Sequence, residues 1–329
     1  MKVVVTDYTF PDLAMEEAII SSAGCELIGR QCATEADLIS LVADADCVIT
    51  QFAKVNANVI AAMNKASAIV RYGIGVDNVD LEAARSHGIP VCNIPDYCID
   101  EVADHTLAFI LGATRQVVTH TVNLRNGEWG TKVPASAMKA LRDLTVGVVG
   151  FGRIGREVVR RLLPFKCKVL VFDPIASVAE INAAGATAID STEALFSQSD
   201  VLTLHCPSNA QTRKMINAAA IAKLPSGAIL INVARGDLVD TDALVDALKS
   251  GHLGAAALDV CDPEPIPADH ALRKLPNVIL APHIASTSPT AVRKLRETAA
   301  TLAATAIGKK LPPNVVNGVT APRAHPRPD

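Results

Sequence analysis

An arginine, a glutamate and a histidine each follow a separate strand-like run in the second half of the chain. Arg235 comes after the apolar run 228–232, Glu264 after the run 255–258, and His283 after the run 278–280. Because the carboxyl ends of neighbouring parallel strands meet at one edge of a sheet, we expect these side chains to face one crevice. A guanidinium can hold a carboxylate through paired hydrogen bonds, and a histidine oriented by a carboxylate can transfer a proton. Each residue alone is more often structural, but beside a nicotinamide cofactor the three suit reduction of a 2-oxo acid.

A glycine-rich turn supplies the expected cofactor site. The buried run 145–149 is followed by Gly150-Phe151-Gly152-Arg153-Ile154-Gly155 and then by a predicted helix over 156–163. The glycines allow a tight turn, close approach of a pyrophosphate and close packing of helix on strand. The next strand-like run ends in Asp173, whose carboxylate can accept ribose hydroxyls but repels a 2′-phosphate. Pro174 and the two residues after it bring no arginine to offset that repulsion, so the sequence predicts NAD rather than NADP.

Apolar runs of strand length alternate with helical patterns along most of the chain, which predicts parallel sheets covered by helices. One series has runs at 3–6, 48–51, 68–71 and 91–93, and a second series begins at Leu144. A length of 329 residues suits about two domains. The predicted fold class is α/β with two doubly wound parallel-sheet domains.

Several other segments carry specific expectations. A helix is predicted over 34–43 with Thr34 as its cap, and a long apolar helix over 101–118 could form a dimer interface. A further helix is predicted over 290–307, followed by a strand-like stretch at 311–317 that could return to the first unit. The tail 321–329 has three prolines and no apolar pattern, so we expect it to be disordered.

Composition excludes several classes of partner. Lys and Arg total 31 against 34 Asp and Glu, so no positive field exists to attract nucleic acid or an anionic membrane. The sequence contains neither a signal-peptide pattern nor an apolar run long enough for a membrane helix, which predicts a cytoplasmic location. The eight cysteines include no Cys-x-x-Cys pair, so we expect reduced, buried thiols and no metal site.

The ordered set of motifs resembles the D-isomer-specific 2-hydroxyacid dehydrogenase family, which includes phosphoglycerate dehydrogenase, glyoxylate/hydroxypyruvate reductase, D-lactate dehydrogenase and the C-terminal-binding-protein corepressors. The matching stretches are Arg71-Tyr72-Gly73-Ile74-Gly75-Val76-Asp77-Asn78-Val79-Asp80, Gly150 to Gly155, Asn232-Val233-Ala234-Arg235-Gly236, Leu258-Asp259-Val260 with Glu264-Pro265, and Pro282-His283. The resemblance covers residues from about 3 to 317.

The resemblance implies a Rossmann NAD domain, residues 99–289, inserted in a flavodoxin-like substrate domain made of residues 1–98 and 290–329. Active-site residues would line the cleft between them. Arg235 would hold the substrate carboxylate, helped by backbone N–H groups around Gly73, Ile74 and Gly75. His283 would exchange a proton with the substrate oxygen, and Glu264 would orient its ring.

The resemblance also implies the contact residues, a homodimer, and a small 2-oxo or 2-hydroxy acid as substrate. The residues expected to contact NAD are Gly150, Gly152, Arg153, Ile154, Gly155, Asp173, Pro174, His205, Cys206, Pro207, Val233, Ala234, Arg235, Asp259 and His283, with Asp259 at the nicotinamide carboxamide. Those expected to contact the substrate are Arg71, Gly73, Ile74, Gly75 and Arg235.

The substrate and one alternative function stay open at this point. Asp104 stands where many relatives carry glutamate, and the stretch 284–287 differs from the usual patterns after the histidine. Arg71 with Lys54 could bind a phosphorylated substrate, while glyoxylate, hydroxypyruvate and aliphatic 2-oxo acids are equally compatible. The alternative is an NAD-sensing, corepressor-like binding protein with secondary dehydrogenase activity. Formate dehydrogenase, which shares the fold, fits less well.

Overall fold

Strands and helices alternate along the chain in the computed structural model, which describes residues 1–130, 133–321 and 323. The strands are β1 Lys2–Val5, β2 Glu26–Gly29, β3 Cys47–Thr50, β4 Ile69–Arg71, β5 Val91–Cys92, β6 Thr145–Val149, β7 Lys168–Phe172, β8 Thr187–Ala188, β9 Val201–Leu204, β10 Ala228–Asn232, β11 Leu253–Leu258 and β12 Val278–Leu280. The helices are α1 Ala14–Ser22, α2 Glu35–Val42, α3 Ala57–Ala61, α4 Leu81–Ser86, α5 Ile99–Thr114, α6 Val117–Arg125, α7 Arg153–Leu162, α8 Val178–Ala183, α9 Thr192–Phe196, α10 Ala218–Ile221, α11 Thr241–Ser250 and α12 Pro289–Ile307.

The chain divides into two units. Unit 1 contains Met1–Tyr97 and the chain from Ser288 onward, and unit 2 contains Cys98–Thr287. We expected the changes of domain after residues 98 and 289, and the units change after Tyr97 and Thr287. The expected disordered tail, 321–329, lies outside the described residues except for positions 321 and 323.

Unit 1 is built on one parallel sheet with the order β2-β1-β3-β4-β5. The central strand β3 is buried at every position, as expected for a sheet covered by helices on both faces. α12 begins with Ser288 as its cap and Pro289 in its first turn, and its buried positions join the core formed by β1, β3 and β4.

Unit 2 is built on a second parallel sheet with the order β8-β7-β6-β9-β10-β11-β12. The order reverses between β6 and β9, and the crevice at the carboxyl ends of such neighbouring strands is where open α/β sheets bind ligands. β9 and β10 are buried at every position, so their apolar sequences carry no alternating pattern. Both sheets confirm the predicted fold class.

Local predictions fare differently. α2 is present, with a capping box formed by Thr34 and Asp37. The single long helix predicted over 101–118 is wrong, because Gln116 adopts φ 55° and separates α5 from α6. The strand-like stretch 311–317 is also not a regular strand. It forms one isolated bridge between Val315 and Cys92 and is held by the Asn317 side chain, which bonds to backbone groups at 89 and 91.

Candidate active site

The glycine turn between β6 and α7 has the shape that a bound pyrophosphate requires. Gly150 has φ +97°, and a Cβ there would lie 2.8 Å from the carbonyl carbon of His205. A Cβ on Gly155 would overlap the carbonyl oxygen of Gly150. A Cβ on Gly152 would instead meet nothing within 4 Å, so this glycine faces open space. The two outer glycines are therefore required by packing, and the middle one leaves a cradle at the start of the helix.

The N-terminus of α7 faces that cradle. Gly152 is its N-cap, and no side chain of the described residues caps it. The first N–H groups, at Arg153 and Ile154, are therefore available to an anion, and the helix dipole favours negative charge at this end. The residues present fit a dinucleotide phosphate.

Asp173 lies next to the glycine turn at the end of β7. Its carboxylate accepts hydrogen bonds from the backbone N–H groups of Phe151 at 2.6 Å, Ile175 at 2.7 Å and Ala176 at 2.9 Å. Burial by itself would raise the pKa of Asp173, but these three donors and the nearby Arg156 outweigh it and hold the pKa below its usual range. The side chain is therefore an anion fixed in position, which suits ribose hydroxyls and disfavours a 2′-phosphate.

His205 and Cys206 follow β9, directly against the glycine turn. His205 donates its backbone N–H to Val149, and its imidazole Nε2 lies 2.9 Å from the hydroxyl of Thr203. Burial lowers the pKa of His205 to about 3, so the ring is neutral at physiological pH. Burial likewise raises the pKa of the Cys206 thiol to about 11. Neither group is suited to acid–base or nucleophilic chemistry. Pro207 continues the same segment and accepts a hydrogen bond from Thr212.

The loop after β10 carries Arg235 and is held by Asn232. The Asn232 amide donates to the carbonyl of Arg235 at 2.7 Å and accepts from the N–H of Ala234 at 3.0 Å, which fixes Val233, Ala234 and Arg235 in one turn. Asn232 appears in the motif, but the sequence alone assigns it no role. Its signal is an amide side chain at the last position of a buried strand.

Gly236 brings the Arg235 loop against the loop after β11. A Cβ at Gly236 would overlap the carbonyl group of Cys261 and lie 2.8 Å from the backbone nitrogen of Asp262. The hydroxyl of Thr241 also donates to the carbonyl of Asp262 at 2.7 Å. The loop that bears Arg235 therefore packs on the segment leading to Glu264.

Glu264 and His283 form a hydrogen-bonded pair in the predicted site. Nδ1 of His283 lies 2.6 Å from Oε1 of Glu264, and the two side chains are 27% exposed for His283 and 39% exposed for Glu264. The loops that carry Arg235, Glu264 and His283 follow the neighbouring strands β10, β11 and β12. A histidine so oriented can transfer a proton through its other ring nitrogen.

Asp259 anchors the loop that contains His283. Its carbonyl accepts from the N–H of His283 at 2.7 Å, and its carboxylate oxygens accept from the N–H groups of Ile284 and Ala285 at 2.8 Å each. His283 has φ 56°, an uncommon conformation for a side chain of this size, and these bonds hold it there. The imidazole of His105 lies 3.8 Å from the buried Asp259 carboxylate. Sequence reasoning missed both this anchoring role and His105.

Asp104, the position that departs from many relatives, has a structural contact in unit 2. Its carboxylate accepts from Nε of Arg161 at 2.7 Å, and Asp100 accepts from Nη2 of the same guanidinium. Asp104 therefore contributes to an ion pair between α5 and α7.

In unit 1 the predicted substrate residues lie together after β4. Gly73 has φ +144°, and a Cβ there would overlap the guanidinium of Arg71. The carbonyl of Gly73 accepts from the N–H of Ile94 at 2.9 Å, and that of Ile74 accepts from the Asn93 amide at 2.7 Å. Within the described part of the chain, the N–H groups of Ile74 and Gly75 meet no protein acceptor. The N–H of Gly73 donates to the carbonyl of Arg71 at 2.8 Å, so the N–H groups of Ile74 and Gly75 are the donors that this turn can offer to an anion.

In the ranges that the structure describes, no three His, Cys, Asp or Glu side chains are grouped so that they could hold a metal ion. Among those same residues, the helices are too short or too polar for any of them to span a bilayer.

Two glycine variants separate packing from cofactor binding. Gly236→Ala forces a methyl group into the backbone of Cys261, and we expect it to lower the free energy of unfolding by about 2 kcal/mol or more. Gly152→Ala adds the same group to open space, and we expect a loss below about 1 kcal/mol but roughly tenfold weaker NADH binding. Urea unfolding and NADH fluorescence titration measure the two effects. Equal stability losses, or NADH affinity unchanged in Gly152→Ala, would contradict this assignment.

The family model described as "D-isomer specific 2-hydroxyacid dehydrogenase, NAD binding domain" matches residues 107–285. D-3-phosphoglycerate dehydrogenase of Methanocaldococcus jannaschii is 37% identical over 88% of this chain, but the match spans only 55% of that protein's length. Hydroxypyruvate reductase of Thermotoga maritima is 36% identical, over 79% of this chain and 84% of that protein. Relatives with these names do not favour the corepressor alternative.

The fold is likewise similar to solved structures. The TT0316 protein from Thermus thermophilus has a TM-score of 0.85 and 36% identity, covering 96% of this chain and all of that one. D-Lactate dehydrogenase from Aquifex aeolicus, solved with NAD and lactic acid, has a TM-score of 0.83 and 26% identity, covering 93% of this chain and 95% of that one. This chain belongs to the D-isomer-specific 2-hydroxyacid dehydrogenase family.

Proposed function

We propose that this protein is an NAD-dependent dehydrogenase that interconverts a small 2-oxo acid and the corresponding D-2-hydroxy acid. The observation that carries the proposal is the 2.6 Å contact between His283 and Glu264. The strands that lead to Arg235, Glu264 and His283 lie side by side in the order β10, β11 and β12, in the same unit as the turn from Gly150 to Gly155. An acid–base group, its orienting carboxylate and a cation for the substrate are the protein groups that the reaction needs.

NAD is the cofactor of the family domain that the chain matches. We propose that the turn from Gly150 to Gly155 holds the pyrophosphate and that Asp173 accepts the adenosine ribose hydroxyls. His205, Cys206 and Pro207 would line the adenosine side, and Val233, Ala234 and Asp259 the nicotinamide side. When bound, NADH supplies the hydride. The protein must bind the substrate beside it and supply the proton.

Arg235 would bind the substrate carboxylate and polarise the 2-oxo group. A guanidinium presents parallel donors that match a carboxylate, and it stays charged at every physiological pH. Its loop is fixed by Asn232 and by the close packing at Gly236, and Nη1 of Arg235 donates to the carbonyl of Ala234 at 2.7 Å, so the guanidinium is oriented before substrate binds. The N–H groups of Ile74 and Gly75 would contribute further donors to the carboxylate, with Arg71 beside them, whereas the N–H of Gly73 already donates to the carbonyl of Arg71 at 2.8 Å.

His283 would donate a proton to the substrate oxygen during reduction and accept it during oxidation. With Nδ1 engaged by Glu264, Nε2 is the nitrogen that exchanges this proton. Glu264 fixes the ring orientation and stabilises the imidazolium that forms when the hydroxy acid is oxidised. In each turnover one hydride reaches the 2-carbon and one proton reaches its oxygen, which balances the reduction.

The substrate is tested by a panel of acids assayed through NADH absorbance. The names of the relatives suggest hydroxypyruvate, glyoxylate and pyruvate as oxidants of NADH, and D-3-phosphoglycerate as a reductant of NAD. We expect turnover with at least one of them and a preference for NADH over NADPH. Absence of turnover with every acid would refute the proposed function, and a preference for NADPH would refute the role of Asp173.

We also propose a homodimer, with α6 and Trp129 in the interface. Most apolar side chains of α5, which we expected to form it, are buried within unit 2, although Ala108 is exposed and Leu111 is half-buried. α6 has no buried residue, and exposed apolar side chains continue from it to Trp129, which is 91% exposed. Contiguous exposed apolar surface is typical of protein–protein contacts.

The free state of all eight cysteines supports a cytoplasmic location.

Sedimentation velocity tests the homodimer. We expect a dimer for the wild type and a monomer for the double variant Leu124→Glu with Trp129→Ser, because a charge and a lost indole disrupt an apolar contact. Val178→Ser removes a similarly exposed apolar side chain from α8 and should leave the dimer intact. A monomeric wild type, or dissociation by Val178→Ser alone, would argue against this interface.

A further inference from the structure

A buried glutamate, arginine and tyrosine form one hydrogen-bonded network in unit 1. Glu16 on α1 is fully buried, and Arg296 on α12 donates to both of its oxygens, from Nε at 2.9 and 3.1 Å and from Nη2 at 2.7 Å. The hydroxyl of Tyr72 donates to Oε1 of the same carboxylate at 2.9 Å. Arg296 also donates to the carbonyl and carboxylate of Asp12. A buried charge is stable only when it is paired and hydrogen-bonded, and this network meets both conditions.

The Tyr72 ring is held as firmly as its hydroxyl. Phe10 packs edge-on against it with ring centroids 5.3 Å apart, and the Arg296 guanidinium lies 4.9 Å from the Phe10 ring. Burial, and after it the neighbouring Glu16 carboxylate, raise the pKa of Tyr72 far above its usual range. The hydroxyl therefore remains a protonated donor at physiological pH.

Tyr72 also immediately precedes the turn formed by Gly73, Ile74 and Gly75 in unit 1. Its backbone N–H donates to the carbonyl of Thr50 at 2.8 Å, and Gly73 follows at once with φ +144°. A glycine in this region has little conformational preference of its own. Asn93 and Ile94 hold the carbonyls within the turn, and the buried Tyr72 side chain holds its entry.

We propose that Tyr72, fixed by Glu16 and Arg296, is a positioning residue that keeps the Gly73–Gly75 turn in the conformation that binds the substrate carboxylate. This inference rests on the proposed function, in which the N–H groups of that turn bind the carboxylate. The residues of the network come from α1, α12 and the end of β4, so the C-terminal helix contributes to substrate affinity without touching the substrate.

The kinetic signature follows from this indirect role. Loosening the turn lowers the fraction of molecules ready to bind, and the apparent affinity falls by that fraction. The carboxylate contact is the same in the bound substrate and in the transition state, so KM for the 2-oxo acid rises while kcat is retained. The KM for NADH should not change, because Glu16, Tyr72 and Arg296 lie in unit 1, whereas the turn from Gly150 to Gly155 proposed to bind NADH lies in unit 2.

Tyr72→Phe is the informative variant. It removes the hydroxyl while leaving the ring and the Glu16–Arg296 pair in place, whereas loss of Glu16 would leave a buried arginine unpaired. We expect the KM for the 2-oxo acid to rise about tenfold, the size of one hydrogen bond to a charged group, with kcat and the NADH KM within about twofold. Amide hydrogen exchange across residues 73–76 should become faster.

Ile20→Val is the matched control for general loosening. It removes one methyl group from the same core, where Ile20 is fully buried on α1, and leaves the network intact. Equal increases of KM in both variants, or a fall of kcat alone in Tyr72→Phe, overturn the proposal. A wild type without turnover on any 2-oxo acid overturns the proposed function instead. In that event the amide hydrogen exchange of residues 73–76 tests the positioning role of Tyr72. Faster exchange in Tyr72→Phe than in Ile20→Val supports the role, and equal exchange rates in the two variants overturn it.

Discussion

His283→Asn is expected to lower kcat/KM for the 2-oxo acid by about 10³-fold, the usual size of a lost general acid. Asparagine can still donate a hydrogen bond to Glu264 but cannot deliver a proton to the substrate oxygen. The loss should appear mainly in kcat, because the proton moves in the transition state. Steady-state rates of NADH oxidation measure it, and NADH fluorescence titration should give an unchanged Kd.

Two further variants make this result specific. Glu264→Gln keeps an acceptor for Nδ1 of His283 but removes the negative charge, so we expect a smaller loss of about tenfold to a hundredfold. His87→Asn changes an exposed histidine at the end of α4 and should retain full activity. If His283→Asn kept the wild-type kcat, proton transfer would have to be assigned to another group.

Arg235→Lys is expected to lower kcat/KM by about a hundredfold although the positive charge is kept. A lysine offers one ammonium where the guanidinium offers a planar pair of donors, and each charge-assisted hydrogen bond contributes about 1.5–3 kcal/mol. Because Arg235 would both bind the carboxylate and polarise the 2-oxo group, KM should rise and kcat should fall. This combination differs from the pure KM effect expected of Tyr72→Phe.

Arg213→Lys is the matched control for the arginine substitution. Arg213 is an exposed residue of the same unit, with its guanidinium 3.4 Å from the carboxylate of Asp237. A surface ion pair of this kind contributes little, so activity should be unchanged. Wild-type kinetics in Arg235→Lys would show that a single positive charge is enough and would contradict bidentate binding of the carboxylate by Arg235.

Local features of the chain explain why much of the fold could be predicted. Buried strands are recognised by short apolar runs, and helix α2 by Thr34 and the apolar spacing after it. The glycine turn and Asp173 belong to one strand–turn–helix–strand segment, so their proximity follows from spacing alone. Glu264 and His283 are 19 residues apart, but they follow neighbouring strands, and the parallel-sheet rule brings them to one edge.

Two predictions of secondary structure, the helix over 101–118 and the strand-like stretch 311–317, are wrong, and both were made from the local sequence alone. The apolar pattern over 101–118 continues smoothly, yet Gln116 adopts a left-handed conformation, bonds back to the carbonyl of Ala113 and ends α5. The stretch 311–317 has a strand-like composition, but bonds from the Asn317 side chain to the backbone of Ile89 and Val91 take the place of a regular ladder. In the second case the hydrogen-bond partners come from a distant part of the chain.

The sequence by itself determined the fold class and was enough to propose the cofactor turn and the roles of Arg235, Glu264 and His283, because periodicity, turn chemistry and strand order are local properties. Only the tertiary structure decided that Asp259 anchors the His283 loop and that Gly236 joins two loops. It alone brought Tyr72 and Arg296 to one carboxylate, across 56 and 280 residues of chain from Glu16. A buried charge selects partners by proximity and desolvation in three dimensions, and no spacing along the chain encodes that choice.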